Sequence, residues 1–272
     1  MRSLLCHVTS AFLLTFVSSA LAEDFRVDTE VFAGKEKAPL AETLTIFSGG
    51  RVYDFFLSGA QEITIFEPAA GQFTFLDPER KLRCTVASQE VLDYVLELNK
   101  AAVAQKVPLF VAAADPQFEV QQEEEQADDG EKKTGRTRVT LTSKSIVYTA
   151  VGKTPQQLAT VDAFKQFADW YARLNAIRGG GNLPPGARLA LNRELAQRKL
   201  LPDEITRVTI QPGLREKRLE VRSRHLFNWA LSVADRQRIE QAGDYLANFQ
   251  AVSFSEFRSL PAKPSAEKTT KR

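Results

Sequence analysis

Few side chains in this sequence could do catalytic chemistry. Beyond residue 22, His225 is the single histidine and Cys84 the single cysteine. A Ser/His/Asp triad would need His225 as its base, and no G-x-S-x-G segment supplies the nucleophilic serine. Arg222 and Arg224 flank His225, and neighbouring positive charge disfavours the imidazolium that a general base must become. We therefore expect a surface or strand-edge histidine, and we assign no catalytic residue.

Metal and cofactor sites also lack their usual ligands. Zinc sites combine several cysteine, histidine or carboxylate ligands, and beyond residue 22 this chain offers one of each of the first two. The acidic run over residues 123–131 lacks the spacing of a calcium loop. Gly179-Gly180-Gly181 follows a predicted helix and not a strand, so it is not a phosphate loop. Cys84 alternates with Leu82 and Val86 and should lie with them in a core. We predict no metal and no cofactor.

Paired carboxylates leave a hydrolase open as an alternative. The chain has 34 acidic residues, and their separation in space decides whether two of them could cleave a glycosidic bond. Asp54, Glu62 and Glu67 lie on predicted strands beside aromatic residues. A polar outer face of a sheet explains them equally well.

Residues 1–22 have the pattern of a secretory signal peptide. Arg2 precedes an apolar run over 11–17, and Ala20-Leu21-Ala22 precedes Glu23 as a cleavage site would. The apolar run is shorter than the roughly 20 residues that span a bilayer, and no later segment is long and apolar enough. We predict an exported protein, periplasmic or extracellular, with no transmembrane segment after cleavage.

The charge balance argues against a nucleic-acid partner. The 36 lysines and arginines nearly match the 34 acidic residues, whereas nucleic-acid binders usually show a strong basic excess. The acidic run over 123–131 and the basic end of the chain are both typical of solvated chain.

Short alternating apolar runs predict an antiparallel sheet over residues 25–86. The runs contain Phe25 and Val27, Leu44 and Ile46, Tyr53 and Phe55, Ile63 and Ile65, Phe73 and Phe75, and Cys84 and Val86. Ser88 then caps a predicted helix over 88–106, with Val91, Val95, Leu98 and Ala102 on one face.

Further strands and helices are predicted in the second half. Strands over 118–151 are interrupted by a charged segment, residues 121–135, which we interpret as a long hairpin loop. Thr154 and Pro155 begin a predicted helix over 155–178. A short basic helix and strands over 205–210 and 219–221 follow, and Ser232 begins another helix.

These elements predict an α+β fold in which a curved antiparallel sheet is covered by helices. We divide the chain into a signal peptide (1–22), the sheet with its helices (23–178), a linker (179–186), a smaller C-terminal α/β subdomain (187–260) and a disordered tail (261–272).

The segment FTFLDPERKLRCTV, Phe73 to Val86, resembles the strand, Asp-Pro turn and strand of the periplasmic lipoprotein carrier family. The resemblance covers residues 23–105 and implies a half-open barrel that holds acyl chains beneath helices. Phenylalanine makes up 18 of the 272 residues and is concentrated in the first strands. These side chains either form a sheet core or line an apolar cavity. As cavity residues we predict Phe25, Tyr53, Phe55, Phe73 and Phe75.

The resemblance and the aromatic strands favour an exported, non-catalytic binding protein. Its ligand would be an apolar molecule, a lipidated protein or an envelope component, so the expected partners are a lipid, a lipoprotein or an envelope protein. The alternatives are an exported carboxylate-dependent hydrolase and an envelope scaffold that binds another protein. A cavity larger than roughly 300 Å³ beneath the helices would favour the carrier.

Overall fold

The computed structural model describes residues 24–126, 133–178, 183–211 and 217–259. The predicted signal peptide and tail, and part of the predicted linker, lie outside these ranges. Within them, one curved, open sheet of twelve strands is covered by six helices, so the predicted α+β class is confirmed.

The strands follow one another along the chain with three interruptions by helices. They are β1 (Phe25–Ala33), β2 (Ala41–Ser48), β3 (Arg51–Phe56), β4 (Glu62–Glu67), β5 (Gln72–Asp77), β6 (Leu82–Ala87), β7 (Glu119–Gln126), β8 (Lys133–Thr142), β9 (Ile146–Lys153), β10 (Leu201–Gln211), β11 (Lys217–Asn228) and β12 (Gln250–Ala251). The helices are α1 (Ser88–Gln105), α2 (Pro108–Ala114), α3 (Ala159–Arg178), α4 (Gly186–Gln197), α5 (Val233–Asn248) and α6 (Phe254–Ser259).

The sheet order is β12-β6-β5-β4-β3-β2-β1-β11-β10-β9-β8-β7. All neighbours pair antiparallel except β12 and β6, which are parallel. The six predicted N-terminal strands are present as a meander, β1 to β6. The strands assigned to the C-terminal subdomain, β10 and β11, lie inside this same sheet, between β1 and β9. Residues 187–260 therefore share a continuous hydrogen-bonded sheet with the N-terminal part.

Helices cover both faces of the sheet. On the inner face, Phe25, Phe73 and Cys84 belong to a core that α1, α3 and α6 cover. A second core on the same face joins β8, β9 and β10 to α2 and α4. On the outer face, α5 covers the strand residues Ile46, Tyr53 and Ile65. Cys84 is 1% exposed, as its alternation with Leu82 and Val86 predicted.

The helix predicted over 88–106 is present as α1 and begins at Ser88, but its predicted N-cap and the predicted start of α3 were wrong. Helix α1 has Ala87 as its N-cap, and the Ala87 amide donates to the Glu90 side chain at 3.3 Å. Helix α3 begins at Ala159 and not at Pro155, because Pro155 is buried and the chain turns before the helix. In that turn the Thr160 hydroxyl donates to the Gln157 carbonyl at 2.5 Å.

The predicted loop over 121–135 was also wrong for most of its length. Residues up to Gln126 belong to β7, and those from Lys133 belong to β8. Strand β7 is the edge of the sheet, where charged side chains are tolerated because they point into solvent and discourage edge pairing. The Arg138 guanidinium also binds the Glu125 carboxylate at 2.6 Å across this hairpin. Residues 127–132 lie outside the described ranges.

The predicted start and apolar stripe of helix α5 are confirmed. Ser232 is the N-cap of α5, and its hydroxyl accepts a hydrogen bond from the Asp235 amide at 3.2 Å. The apolar stripe of α5, Ile239, Ala242, Leu246 and Phe249, packs on the outer face. Among the described residues, no helix combines the length and the apolar character needed to cross a membrane.

Candidate functional site

A cavity of about 550 Å³ lies on the inner face, between the sheet and helices α3 and α4. Its size is within the range of about 300–1,000 Å³ that is common for small-molecule sites. The cavity separates the two inner cores: Phe164 and Ala168 belong to the first core, and Tyr148 and Ile205 belong to the second.

The floor of the cavity is formed by strands β1, β11, β10 and β9. In the register of the sheet, Thr29 lies opposite His225, and Arg207 lies opposite both Val221 and Tyr148. Side chains two residues apart on a strand share a face, so Ser223 also points into the cavity beside His225. Adjacent strands thus place a row of polar side chains on the floor, which we call the polar row: Thr29, His225, Ser223, Arg207 and Tyr148.

The roof of the cavity, formed by α3, combines small and aromatic apolar residues with the polar side chains of Tyr171 and Asn175. Ala168, Ala172 and Ala176 of α3 recur every fourth residue and therefore share one helix face, and all three line the cavity. A face of alanines leaves space between a helix and the sheet that larger side chains would fill. Phe164 and Phe167 close the same side with aromatic surface.

One wall is formed where the chain enters α4. Leu183, Pro184 and Pro185 line the cavity, so this half of the predicted linker is an ordered wall. Gly186 follows, and a Cβ atom at this position would lie 2.3 Å from the Ala114 carbonyl oxygen of α2. Only glycine permits this close approach of α4 to α2.

His225 lies on an interior strand and faces the cavity, so the predicted surface or strand-edge position was wrong. Its Nδ1 is 3.1 Å from the Thr29 hydroxyl, and its Nε2 is 3.0 Å from the Ser223 hydroxyl. Burial, and to a smaller extent the charge of Arg188, lower the pKa of His225 to about 3. Arg222 and Arg224, which we expected to lower this pKa, stack on Phe32, which lies opposite Arg222 in the sheet. His225 is therefore neutral and serves as a hydrogen-bonding group.

Three arginines line the cavity, and the described lining contains no aspartate or glutamate. Arg178, the last residue of α3, binds the Glu62 carboxylate at 2.7 Å and the Thr64 hydroxyl at 2.6 Å. Arg188 of α4 and Arg207 of β10 make no ion pair with any carboxylate among the described residues. Two of the three arginines that line the cavity therefore have no ion-pair partner among the described residues.

A buried carboxylate lies next to the cavity. Asp54 is 4% exposed and accepts a hydrogen bond from the Thr45 hydroxyl at 2.7 Å. Burial raises the pKa of Asp54 to about 6, although Thr45 and Arg178 favour the ionised form. Burial, and then the charge of Asp54, also raise the pKa of Tyr171. Asp54 pairs with Thr64 on the inner face, so the interpretation of this residue as part of a polar outer face was wrong.

The structure does not bring the five predicted cavity residues together. Phe25 stacks on Phe47 with ring centroids 4.1 Å apart, and Phe73 stacks on Phe66 at 4.6 Å. Phe75 belongs to the same inner core, whereas Tyr53 and Phe55 lie on the outer face under α5. None of the five lines the cavity.

The residues that line the cavity were not predicted from the sequence. The alanine face of α3 was visible in the sequence as Ala168, Ala172 and Ala176, but alanine on a helix usually indicates close packing. The polar row was hidden because its members come from strands that are distant in sequence. Thr29 and His225, for example, are 196 residues apart.

Within the described ranges, no group of three or more histidine, cysteine, aspartate or glutamate side chains is placed to hold a metal ion. The arrangement offers hydrogen-bond donors and apolar walls.

Comparisons with known proteins add little to this description of the cavity. No protein-family model matches the chain, and no curated protein matches it. Among solved structures, the chain is similar to a structure of PNGF-II in a C2 space group, with 8% sequence identity and a TM-score of 0.34. The match covers 88% of this chain and 32% of the PNGF-II chain. This likeness is too distant to carry an inference about fold or function.

Proposed function

We propose that the protein is an exported, non-catalytic binding protein that holds an apolar chain in the cavity on the inner face. The ligand would be a lipid or the acyl chain of a lipidated protein, and the protein would work in the periplasm or outside the cell. The observation that carries this proposal is the 550 Å³ cavity between the sheet and α3, roofed by alanines and phenylalanines.

The lining supports binding over catalysis. The cavity has no described carboxylate, and its histidine is held neutral between two hydroxyl groups. Burial of an apolar chain would contribute about 25 cal/mol for each Å² removed from water, without any chemical step. The walls are part of two packed cores, so the site is formed before a ligand arrives.

A fluorescent probe tests this proposal on the purified protein. N-phenyl-1-naphthylamine is uncharged and fluoresces when it enters an apolar site. We expect it to bind, and we expect Ala172→Trp, which fills the roof of the cavity, to weaken binding at least about tenfold, since an indole occupies most of the space that the probe needs.

Ala159→Trp is the matched control, because Ala159 is the exposed first residue of the same helix. This variant should bind the probe like the wild type. Equal binding by all three proteins, or no binding by the wild type, would reject the cavity as the site. Mass spectrometry of organic extracts from the protein purified from its native envelope then identifies the natural ligand.

The hydrolase alternative finds no support in this cavity. Asp54 is a buried acid outside the lining, and it accepts a hydrogen bond from the lining residue Thr45. The charge of Glu62 acts on Asp54, but Glu62 is paired with Arg178, and neither acid belongs to the described lining of the cavity.

A scaffold that binds another protein remains the second candidate, because α1 exposes large apolar side chains. Leu92, Leu96 and Val103 are 36%, 53% and 50% exposed, and they lie along one side of the helix. Recovery of a stoichiometric protein partner that Leu96→Glu abolishes would favour this candidate.

A further inference from the structure

We propose that Arg188 and Arg207 form an anion site inside the cavity that binds a carboxylate or phosphate group at the end of the apolar ligand. This inference rests on the proposed function, since it assigns the polar end of the ligand that the cavity would hold.

The two arginines come from opposite walls of the cavity. Arg188 is in the first turn of α4, and Arg207 is on β10, in the floor. Each side chain lines the same cavity, together with Tyr148 and Ser223. Burial is the main cause that lowers the pKa of the Arg188 guanidinium, and the charge of Arg207 also lowers it, whereas Tyr148 and Asp169 oppose this effect. The two positive groups thus influence each other within one cavity.

Neither arginine forms an ion pair with a described carboxylate, and the charge of Asp169 acts on Arg188 from beyond ion-pair distance. Described carboxylates bind Arg26, Arg138 and Arg178 at 3.0, 2.6 and 2.7 Å, but none binds Arg188 or Arg207. The Arg207 Nε atom is buried and has no hydrogen-bond partner. A buried donor without a partner costs about 1–3 kcal/mol, and more when it is charged. A fold that keeps such a group inside a cavity is suited to a ligand that supplies the acceptor.

Arg188 is held in place by an amide and not by an acid. Its Nε donates to the Asn192 Oδ1 at 2.9 Å, and the Asn192 Nδ2 donates to the Asp169 Oδ1 at 2.9 Å. The Asp169 carboxylate in turn binds Lys165 at 2.6 Å. This chain of contacts holds the guanidinium in place, with the Asn192 amide between it and the Asp169 carboxylate.

The chemistry of guanidinium selects the ligand. Its N–H groups form a planar fork that matches the two oxygens of a carboxylate or the oxygens of a phosphate. Two such forks with apolar walls around them fit an amphipathic molecule with one anionic end. His225 is neutral and Ser223 is uncharged, so neither repels or replaces that group.

Displacement of N-phenyl-1-naphthylamine by ligands of one chain length tests the site. The competitors are dodecan-1-ol, dodecanoate and dodecyl phosphate, with acetate and inorganic phosphate as anions without a chain. In the wild type we expect an anionic twelve-carbon ligand to compete at a concentration at least about tenfold lower than the alcohol, since charged hydrogen bonds contribute about 1.5–3 kcal/mol each.

The variants assign this preference to the two arginines. Arg188→Gln and Arg207→Gln should each reduce the preference, and together they should abolish it while dodecan-1-ol binds as before. Arg193→Gln is the matched control, because Arg193 is on the same helix and 63% exposed. Arg207→Lys keeps the charge without the fork and should retain part of the preference, and circular dichroism verifies that each variant is folded.

The outcomes separate this inference from the proposed function. Equal competition by the alcohol and both anions in the wild type, or a preference that survives the double substitution, would overturn the anion site alone. Failure of the probe and of all chain-bearing ligands to bind would reject the proposed function. If inorganic phosphate binds as tightly as dodecyl phosphate and depends on both arginines, the anion site stands and the acyl-chain ligand is rejected.

Discussion

Asp54 offers a sharp test of the electrostatics beneath α3. The substitution Asp54→Asn removes the charge of a side chain that is 4% exposed, and it retains the size and the oxygen that accepts the hydrogen bond from Thr45. Any change in stability should therefore come from the carboxylate charge and not from a cavity or a lost hydrogen bond.

The expected magnitude follows from the pKa of this carboxyl. Burial raises the pKa of Asp54 from 3.8 to about 6. Between these values the native protein binds a proton that the unfolded chain has released, so stability falls as the pH rises. A pKa difference of about 2 corresponds to about 3 kcal/mol, which the ionised carboxylate costs the native state in full above pH ~6. Asparagine does not titrate and has no such cost.

Urea unfolding followed by tryptophan fluorescence measures the effect between pH 4 and 8. The free energy of unfolding of Asp54→Asn, relative to the wild type, should increase by about 2.4 kcal/mol from pH 4 to pH 8, because part of the cost is already present at pH 4. Asp93→Asn makes the same chemical change on the exposed side of α1 and is the matched control. A difference between Asp54→Asn and the wild type that stays constant over this pH range would refute the reasoning.

For His225 we expect a pH effect of the opposite sign. Burial and Arg188 lower the pKa of His225 from 6.5 to about 3. The stability that the neutral ring contributes is therefore complete above pH ~6.5 and is lost as the pH falls toward 3. Relative to the wild type, His225→Gln should gain up to about 3 kcal/mol in unfolding free energy between pH 7.5 and 4.5, and an equal difference at both values would contradict this. Gly186→Ala should destabilise the fold by about 1–3 kcal/mol in thermal unfolding, because its Cβ would lie 2.3 Å from the Ala114 carbonyl. Gly243→Ala, in open space on α5, should instead be neutral or stabilising, and equal effects of the two substitutions would argue against the close approach of α4 to α2.

The N-terminal sheet could be predicted because its signals are local. Residues such as Phe73 and Phe75 alternate with polar or outer-face positions, and turn residues separate each strand from the next. The same holds for α5, where Ser232 and the stripe from Ile239 to Phe249 give the start and the buried face. Strand β7 gave no such signal, because an edge strand that is exposed on both faces needs no apolar alternation.

The faces of the aromatic strands were harder to predict than the strands themselves. Phe55 and Phe66 both lie on short buried strands, yet one packs under α5 and the other on the inner face. Alternation separates the two faces of a strand but does not say which face a helix leaves open. Because helices cover both faces here, the predicted aromatic residues fill cores on both faces, and the aromatic content did not locate the cavity.

The candidate site depends on one long-range pairing. Strand β11, from the C-terminal part of the chain, pairs with β1, and this pairing places His225 opposite Thr29. That pairing also carries β10, and with it Arg207, to the side of the cavity that α4 closes with Arg188. In sequence these two arginines are ordinary members of a basic helix and a polar strand. Their proposed role rests on the lack of an ion pair between either arginine and a described carboxylate, which only the folded structure shows. A chain that ended before β10 would keep the alanine face of α3 and Arg188 of α4 but would lose Arg207, so the proposed anion site depends on the pairing of β10 and β11 within the sheet.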